Sequence, residues 1–368
     1  MAPTEILAEQ HFRTLHGLLD AFEVRCELLI GSTSKARKRM LYEDARMGEL
    51  KVVVGTHALI QEDVEFADLG LAITDEQHRF GVEQRAMLRQ KGLHPHTLAM
   101  TATPIPRTLA MTIYGDLDVS SINEMPPGRK PVITTWARTP VEAYGVVRDE
   151  VRQGHQAFVI CPVIEESMES DMRSVIAEHK ELQALTFPDL RVGLLHGRMK
   201  SAEKEKTLHA FREGDYHILV ATSVVEVGID VPNATAMVIR DAHRFGLAQL
   251  HQFRGRVGRG GDQAFCVLLS ASEGDDARER LEALTATDNG FELAEEDLRL
   301  RGPGEFWGTR QSGLPELRVA QLGDLPTIEL ARRAAKSVLD RDPNLEQPQH
   351  RRLQEQVERF WAATADLS

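Results

Sequence analysis

The chain has 368 residues, 42% of them hydrophobic and 27% charged, with a formal net charge of -12. That length suits two or three domains of ordinary globular composition. The acidic balance excludes a generally basic nucleic-acid coat, so any contact with nucleic acid must come from local groups. Cys26, Cys161 and Cys266 are scattered without a C-x-x-C pair, which argues against a disulfide framework or zinc site and suits a reducing cytoplasm. No apolar run approaches the ~18 residues needed to cross a bilayer, and the first ten residues do not read as a secretory signal.

In chain order, Pro3-Thr4-Glu5 leads straight into the apolar-periodic Ile6, Leu7, His11, Phe12 and Leu15. This is a strand-end-to-helix transition with no strand before it. Strands are predicted at 24–29, 52–54, 71–73 and 97–100, with a helix from Ser34 to Met47 ending near Gly48. The basic run 35–39 reads as a solvated helix face, and His94 and His96 carry no assigned role. The Pro/Gly-rich segment 125–131 marks a linker, placed at 125–139. Beyond it, strands are predicted at 156–160, 191–195, 218–221, 236–239 and 265–269, and helices at 140–153, 201–213 and 247–254. After Ser270 the pattern turns helical and charged, with helices at 326–339 and 351–363. Alternating short strands and helices give an α/β fold of two tandem parallel-sheet domains, residues 1–124 and 140–272, followed by a helical region, 273–368. Such sheets bind ligands at the carboxyl ends of their strands.

Asp75 and Glu76 close the apolar run 69–74. One carboxylate there can hold Mg²⁺ through water while the other accepts a proton from an attacking water. A helix N-cap Asp with an acidic neighbour is the competing reading. Thr101-Ala102-Thr103-Pro104 places two hydroxyls after the next predicted strand, where an ordinary helix-entry turn is the alternative. In Gln252-Phe253-Arg254-Gly255-Arg256-Val257-Gly258-Arg259, Arg256 and Arg259 are separated by small residues. Planar guanidiniums so placed can grip phosphate and stabilise a transferred phosphoryl group, or contact nucleic-acid backbone. Thr222, Gly228 and Asp230 follow a strand, as do His196 and the pair Thr56-His57, and suit sugar or phosphate contacts. The usual partner of such carboxylates, G-x-x-x-x-G-K-[ST], occurs nowhere in the 368 residues.

Taken in order, these segments resemble the motifs of superfamily 2 helicases, and the set resembles the RecG branched-DNA helicases. The resemblance covers nearly the whole chain: residues 2–11 look like motif Ia, 55–57 like Ib, 75–81 like II, 101–107 like III, His196-Gly197 like IV, 221–232 like V and 249–259 like VI. Residues 288–311 resemble the helical-hairpin translocation motif shared by RecG and the coupling factor Mfd. His78 after Asp-Glu-Gln and the run 244–252 favour RecG over Mfd.

The resemblance implies two RecA-like domains, the first N-terminally truncated, then the hairpin and C-terminal helices. It implies an ATP- and Mg²⁺-dependent translocase that remodels branched, double-stranded DNA as a monomer away from membranes. By it, Asp75 positions Mg²⁺, Glu76 is the general base, and Arg256 and Arg259 reach the γ-phosphate. Gly228, Asp230 and Gln252 complete the nucleotide side. His78, Thr101 and Thr103 relay to DNA contacts at Thr4, Thr56, His57, His196 and Thr222, while Arg301 and Gln311 couple the hairpin. RecG proteins also carry a wedge domain and a phosphate-binding loop before motif Ia. Neither is found here, so the chain reads as a C-terminal portion with impaired ATP turnover, or as a DNA-binding module without enzymatic activity.

Overall fold

The computed structural model describes residues 1–104, 118–122, 124–162, 168–223, 230–272, 274–306 and 325–365. These form two compact units, 1–104 with 125–288, and 105–124 with 289–368.

The first unit begins with α1 (Glu5–Asp20), opened by Thr4, whose hydroxyl accepts the Leu7 N–H at 3.3 Å. Strands β1 (Cys26–Leu29) and β2 (Val52–Gly55) pair in parallel, joined by α2 (Lys35–Arg46) with Ser34 as its N-cap. Strands β3 (Leu71–Thr74) and β4 (His96–Ala99) form a second parallel pair, linked by α3 (Val82–Gln90). The first two residues bridge these pairs. Ala2 N–H donates to Gly55 O at 2.8 Å, Asp75 N–H to Met1 O at 3.0 Å, and the Met1 amine to Ile73 O at 2.6 Å.

The second lobe is a six-stranded sheet in the order β5-β10-β9-β6-β8-β7, with every pair parallel. Its strands are β5 (Ile133–Ala137), β6 (Gln156–Ile160), β7 (Val192–Leu195), β8 (Ile218–Ala221), β9 (Ala234–Arg240) and β10 (Phe265–Leu269). Helices α4 (Pro140–Arg152), α5 (Met168–Glu181), α6 (Ser201–Arg212), α7 (Leu247–Arg254) and α8 (Asp275–Ala286) accompany it. Strands β6 and β8 are buried along their whole length, as continuous apolar runs in a parallel sheet covered on both faces should be. Phe158 and Phe211 meet edge to face at 5.0 Å in this core.

Two expectations change. The predicted linker 125–139 contains β5, an edge strand paired along β10, because Ile133-Thr134-Thr135-Trp136 is β-branched and aromatic and alternates between exposed and half-buried. The segment 168–181, left without an element in the sequence reading, is α5. In the second unit α9 (Gly290–Phe306), α10 (Leu325–Leu339) and α11 (Arg351–Ala365) carry the helical region expected there. No helix among the described residues is long and apolar enough to cross a membrane.

Candidate nucleotide site between two sheets

Asp75, Glu76 and Thr101 follow the carboxyl ends of β3 and β4, where open parallel sheets leave backbone groups free for ligands. Asp75 follows β3. Its Oδ2 lies 2.8 Å from His11 Nε2 and its Oδ1 accepts the Glu76 N–H at 2.9 Å. The His11 contact is the largest of the effects that hold this carboxyl below its ordinary range. Glu76 adopts the left-handed conformation, φ 49° and ψ 52°, which a side chain with a Cβ rarely takes. Its carboxylate accepts the Ala102 N–H at 3.3 Å and lies 3.6 Å from His78 Nδ1. Burial raises the Glu76 carboxyl, with Asp75 adding to the rise while Ala102 and Arg256 oppose it. A lowered and a raised carboxylate side by side can serve as charge holder and proton acceptor.

His78 Nδ1 lies 3.2 Å from Thr101 Oγ1, which also accepts the Thr103 N–H at 3.1 Å. Thr103 in turn accepts a hydrogen bond from Gln252 Nε2 on α7 of the other lobe. This chain brings Glu76, His78, Thr101, Thr103 and Gln252 together, with buried Arg256 close enough to act on Glu76.

Arg259 Nη1 pairs with Asp230 Oδ1 at 3.1 Å, and its Nε donates to Gly255 O at 3.3 Å. Gly258 holds the loop between the arginines at φ 72°, a conformation that favours glycine.

The remaining expected residues are dispersed. Thr4 caps α1. Thr56 is 1% exposed, with its hydroxyl unbonded among the described residues, while the neighbouring His57 is exposed. Thr222 is buried and His196 half-buried, the latter's imidazole lowered by burial and by Lys204 and Arg198. Gly228 and Gln311 lie outside the described residues, and Arg301 falls on α9 with its side chain undescribed.

Three residues with a place in this geometry were missed from sequence. His11 sits on α1, 64 residues from Asp75; its place within motif Ia was the available signal. Arg129 of the interlobe segment donates through Nη2 to Gly255 O and Val257 O, on either side of Arg256. Arg254, 3% exposed, donates through Nη1 to Leu284 O and Thr287 O.

Among the described residues no cluster of three or more His, Cys, Asp or Glu gathers to hold a metal. The single carboxylate of Asp75 fits magnesium carried by phosphate and water, because that ion commonly keeps its waters and takes one or two carboxylates.

Residues 1–112 match the DEAD/DEAH box helicase model, 142–261 the helicase conserved C-terminal domain, and 287–368 the C-terminal part of domain 3 of the ATP-dependent DNA helicase RecG. The chain is 54% identical over 349 residues to the ATP-dependent DNA helicase RecG of Synechocystis sp., covering 94% of this chain and 42% of that one. The Bacillus subtilis RecG is 48% identical over 360 residues, covering 97% and 53%. The chain thus spans about half the length of these curated relatives. A solved structure of RecG bound to a three-way DNA junction superposes with a TM-score of 0.70 at 48% identity, over 89% of this chain and 43% of that one. The S. cerevisiae Dbp5 structure with RNA and ADP BeF3 shares the fold at a TM-score of 0.55 and 14% identity, over 82% of this chain and 74% of that one. With α/β lobes that place a carboxylate pair opposite an arginine loop, and with this identity along nearly its whole length, the chain belongs to the RecG family of ATP-dependent DNA helicases.

Proposed function

We propose that this chain carries the carboxylate, relay and arginine parts of an ATP-driven translocase acting on branched, double-stranded DNA. The observation that supports this best is the contact between lobes: Thr103 bonds Gln252, and Arg256 lowers the carboxyl that burial has raised on Glu76. Glu76 accepts the proton of the attacking water, and its raised affinity suits a base working near neutral pH. Asp75, bonded to His11 and held below its ordinary proton affinity, is the residue that would hold magnesium, and that ion would neutralise phosphate charge. Arg256 and Arg259 stabilise charge on the transferred group, a contribution of ~10³ to 10⁵ in rate for measured arginine fingers. Asp230 and Gln252, with Gly228, complete the nucleotide side. His78, Thr101 and Thr103 pass the state of Glu76 to α7. The family resemblance assigns Thr4, Thr56, His57, His196 and Thr222 to DNA contacts, and Arg301 and Gln311 to coupling of the helical region.

The absence of a phosphate loop from the 368 residues favours a second reading, in which these residues by themselves form a DNA-binding module without ATP turnover. Steady-state hydrolysis with forked DNA, measured for the chain and for Glu76→Gln, separates the two. Turnover that Glu76→Gln abolishes supports a motor in this chain alone. Salt-dependent duplex binding indifferent to nucleotide supports the binding module.

A further inference from the structure

The relay in the first lobe has a second copy. After β3, Glu76 is left-handed, residues 77–79 form a 3₁₀ turn, and Gly81 caps α3 with its N–H on Gln84 Oε1 at 3.2 Å. After β9, Asp241 is left-handed at φ 44° and ψ 47°, residues 242–244 form a 3₁₀ turn, and Gly246 caps α7 with its N–H on Gln249 Oε1 at 3.4 Å. His-Arg-Phe-Gly-x-x-Gln stands at both places, 78–84 and 243–249. Four non-glycine residues among those described have positive φ, and two of them occupy this matched position.

The match extends to the neighbouring strand. His243 Nδ1 lies 2.9 Å from Ser270 Oγ, and that oxygen accepts the Ser272 N–H at 3.2 Å. Thr101-Ala102-Thr103 in the first lobe is therefore answered by Ser270-Ala271-Ser272 in the second. The reactive part is not repeated. Arg240 stands in the place of Asp75 and is paired with Glu178, while Asp241 is one methylene shorter than Glu76 and exposed. The copy keeps the histidine–hydroxyl bond and loses the chemistry, which leaves a mechanical role.

That bond ties the turn entering α7 to the segment entering α8. At the far end, Arg254 ties the last turn of α7 to the carbonyls of Leu284 and Thr287. Between them, Arg280 Nη1 donates to Phe245 O at 3.3 Å. Helix α7 carries Gln252 and runs into Arg256, so its attachment decides what moves with the arginines.

We propose that His243 is a positioning residue: through Ser270 it joins α7 and α8 into one lever, so that any displacement of Gln252 and Arg256 carries α8 with it. The lever's role in catalysis rests on the function proposed above; the lever itself does not.

Hydrogen–deuterium exchange on the full 368-residue chain without nucleotide tests the lever, using His243→Ala, Ser270→Ala, the double variant and His243→Asn, whose amide replaces Nδ1. Loss of one such bond should speed exchange about tenfold in both 242–259 and 270–275. The double variant should be no faster than either single, and His243→Asn should return exchange close to that of the unsubstituted chain. Acceleration confined to the substituted side, additive singles, or a uniform rise across the lobe overturns the lever. In DNA-stimulated hydrolysis the alanine variants should lower kcat with KM unchanged, and an unchanged kcat overturns the catalytic link. If the unsubstituted chain hydrolyses no ATP, the motor reading of this chain fails with the catalytic link, while the exchange result still decides the lever.

Discussion

Replacing Arg254 by alanine should destabilise the first unit by about 2–4 kcal/mol, the cost of leaving the carbonyls of Leu284 and Thr287 without their donor and of losing the packed stem. Its Nη1 donates to Leu284 O and Thr287 O, both at 2.9 Å, and lies 3.2 Å from the Asp288 carboxylate. Its Nη2 lies 2.9 Å from His251 Nδ1. Burial lowers the proton affinity of this guanidinium, so releasing it recovers some desolvation cost, and Asp288, about half exposed, rehydrates easily. The carbonyls and the packing of the stem do not recover in that way. A lysine offers one compact ammonium in place of a planar fork and should retain about half the stability. Urea unfolding should show a midpoint lowered by about 1–2 M for an m-value of about 2–3 kcal/mol/M. A loss below about 1 kcal/mol, or a lysine variant as stable as the unsubstituted chain, would refute the view that the fork holds α7 to α8.

His251 is held at about 4 by burial, then by the cations of Arg254 and Arg129, against an ordinary value of 6.5. Between those values the unfolded chain binds a proton that the folded one does not, so stability falls as pH drops from 6.5 to 4, by about 3 kcal/mol at the lower limit. His251→Gln should flatten the stability profile over that window, and an unchanged profile would exclude His251 as the cause. A methyl group on Gly55 would sit 2.1 Å from Leu29 O, so Gly55→Ala should cost about 1–3 kcal/mol or more in thermal or urea unfolding. The thiols of Cys161 and Cys266 are pushed up to about 12 by burial, so alkylation at pH 8 should wait for unfolding; rapid labelling in the native state would contradict the packing.

The strands read most accurately from sequence were β6, β8 and β10, short β-branched or leucine-rich runs buried almost throughout. Strand β5 was absorbed into a linker because its alternating, half-exposed residues follow a Pro/Gly-rich segment. The order of the motifs made Asp75, Glu76 and the arginine loop legible. The left-handed turn at Glu76 was not, because glutamate carries no preference for positive φ. Contacts such as His11 with Asp75 depend on how strands are ordered in the sheet, which local pattern does not encode. The second His-Arg-Phe-Gly copy was legible all along, since comparing the chain with itself reveals it.

The pairing of Arg259 with Asp230 makes engagement of that arginine an exchange. A phosphate that takes the guanidinium must displace a carboxylate already bonded to it, and exposed pairs of this kind contribute about 0–1 kcal/mol. The swap therefore runs almost level, so a ligand of higher charge can take the arginine and Asp230 can recover it once that charge has left. Under the function proposed above, a resident carboxylate of this kind would act as a return spring, resetting the arginine without a separate step to pull it free.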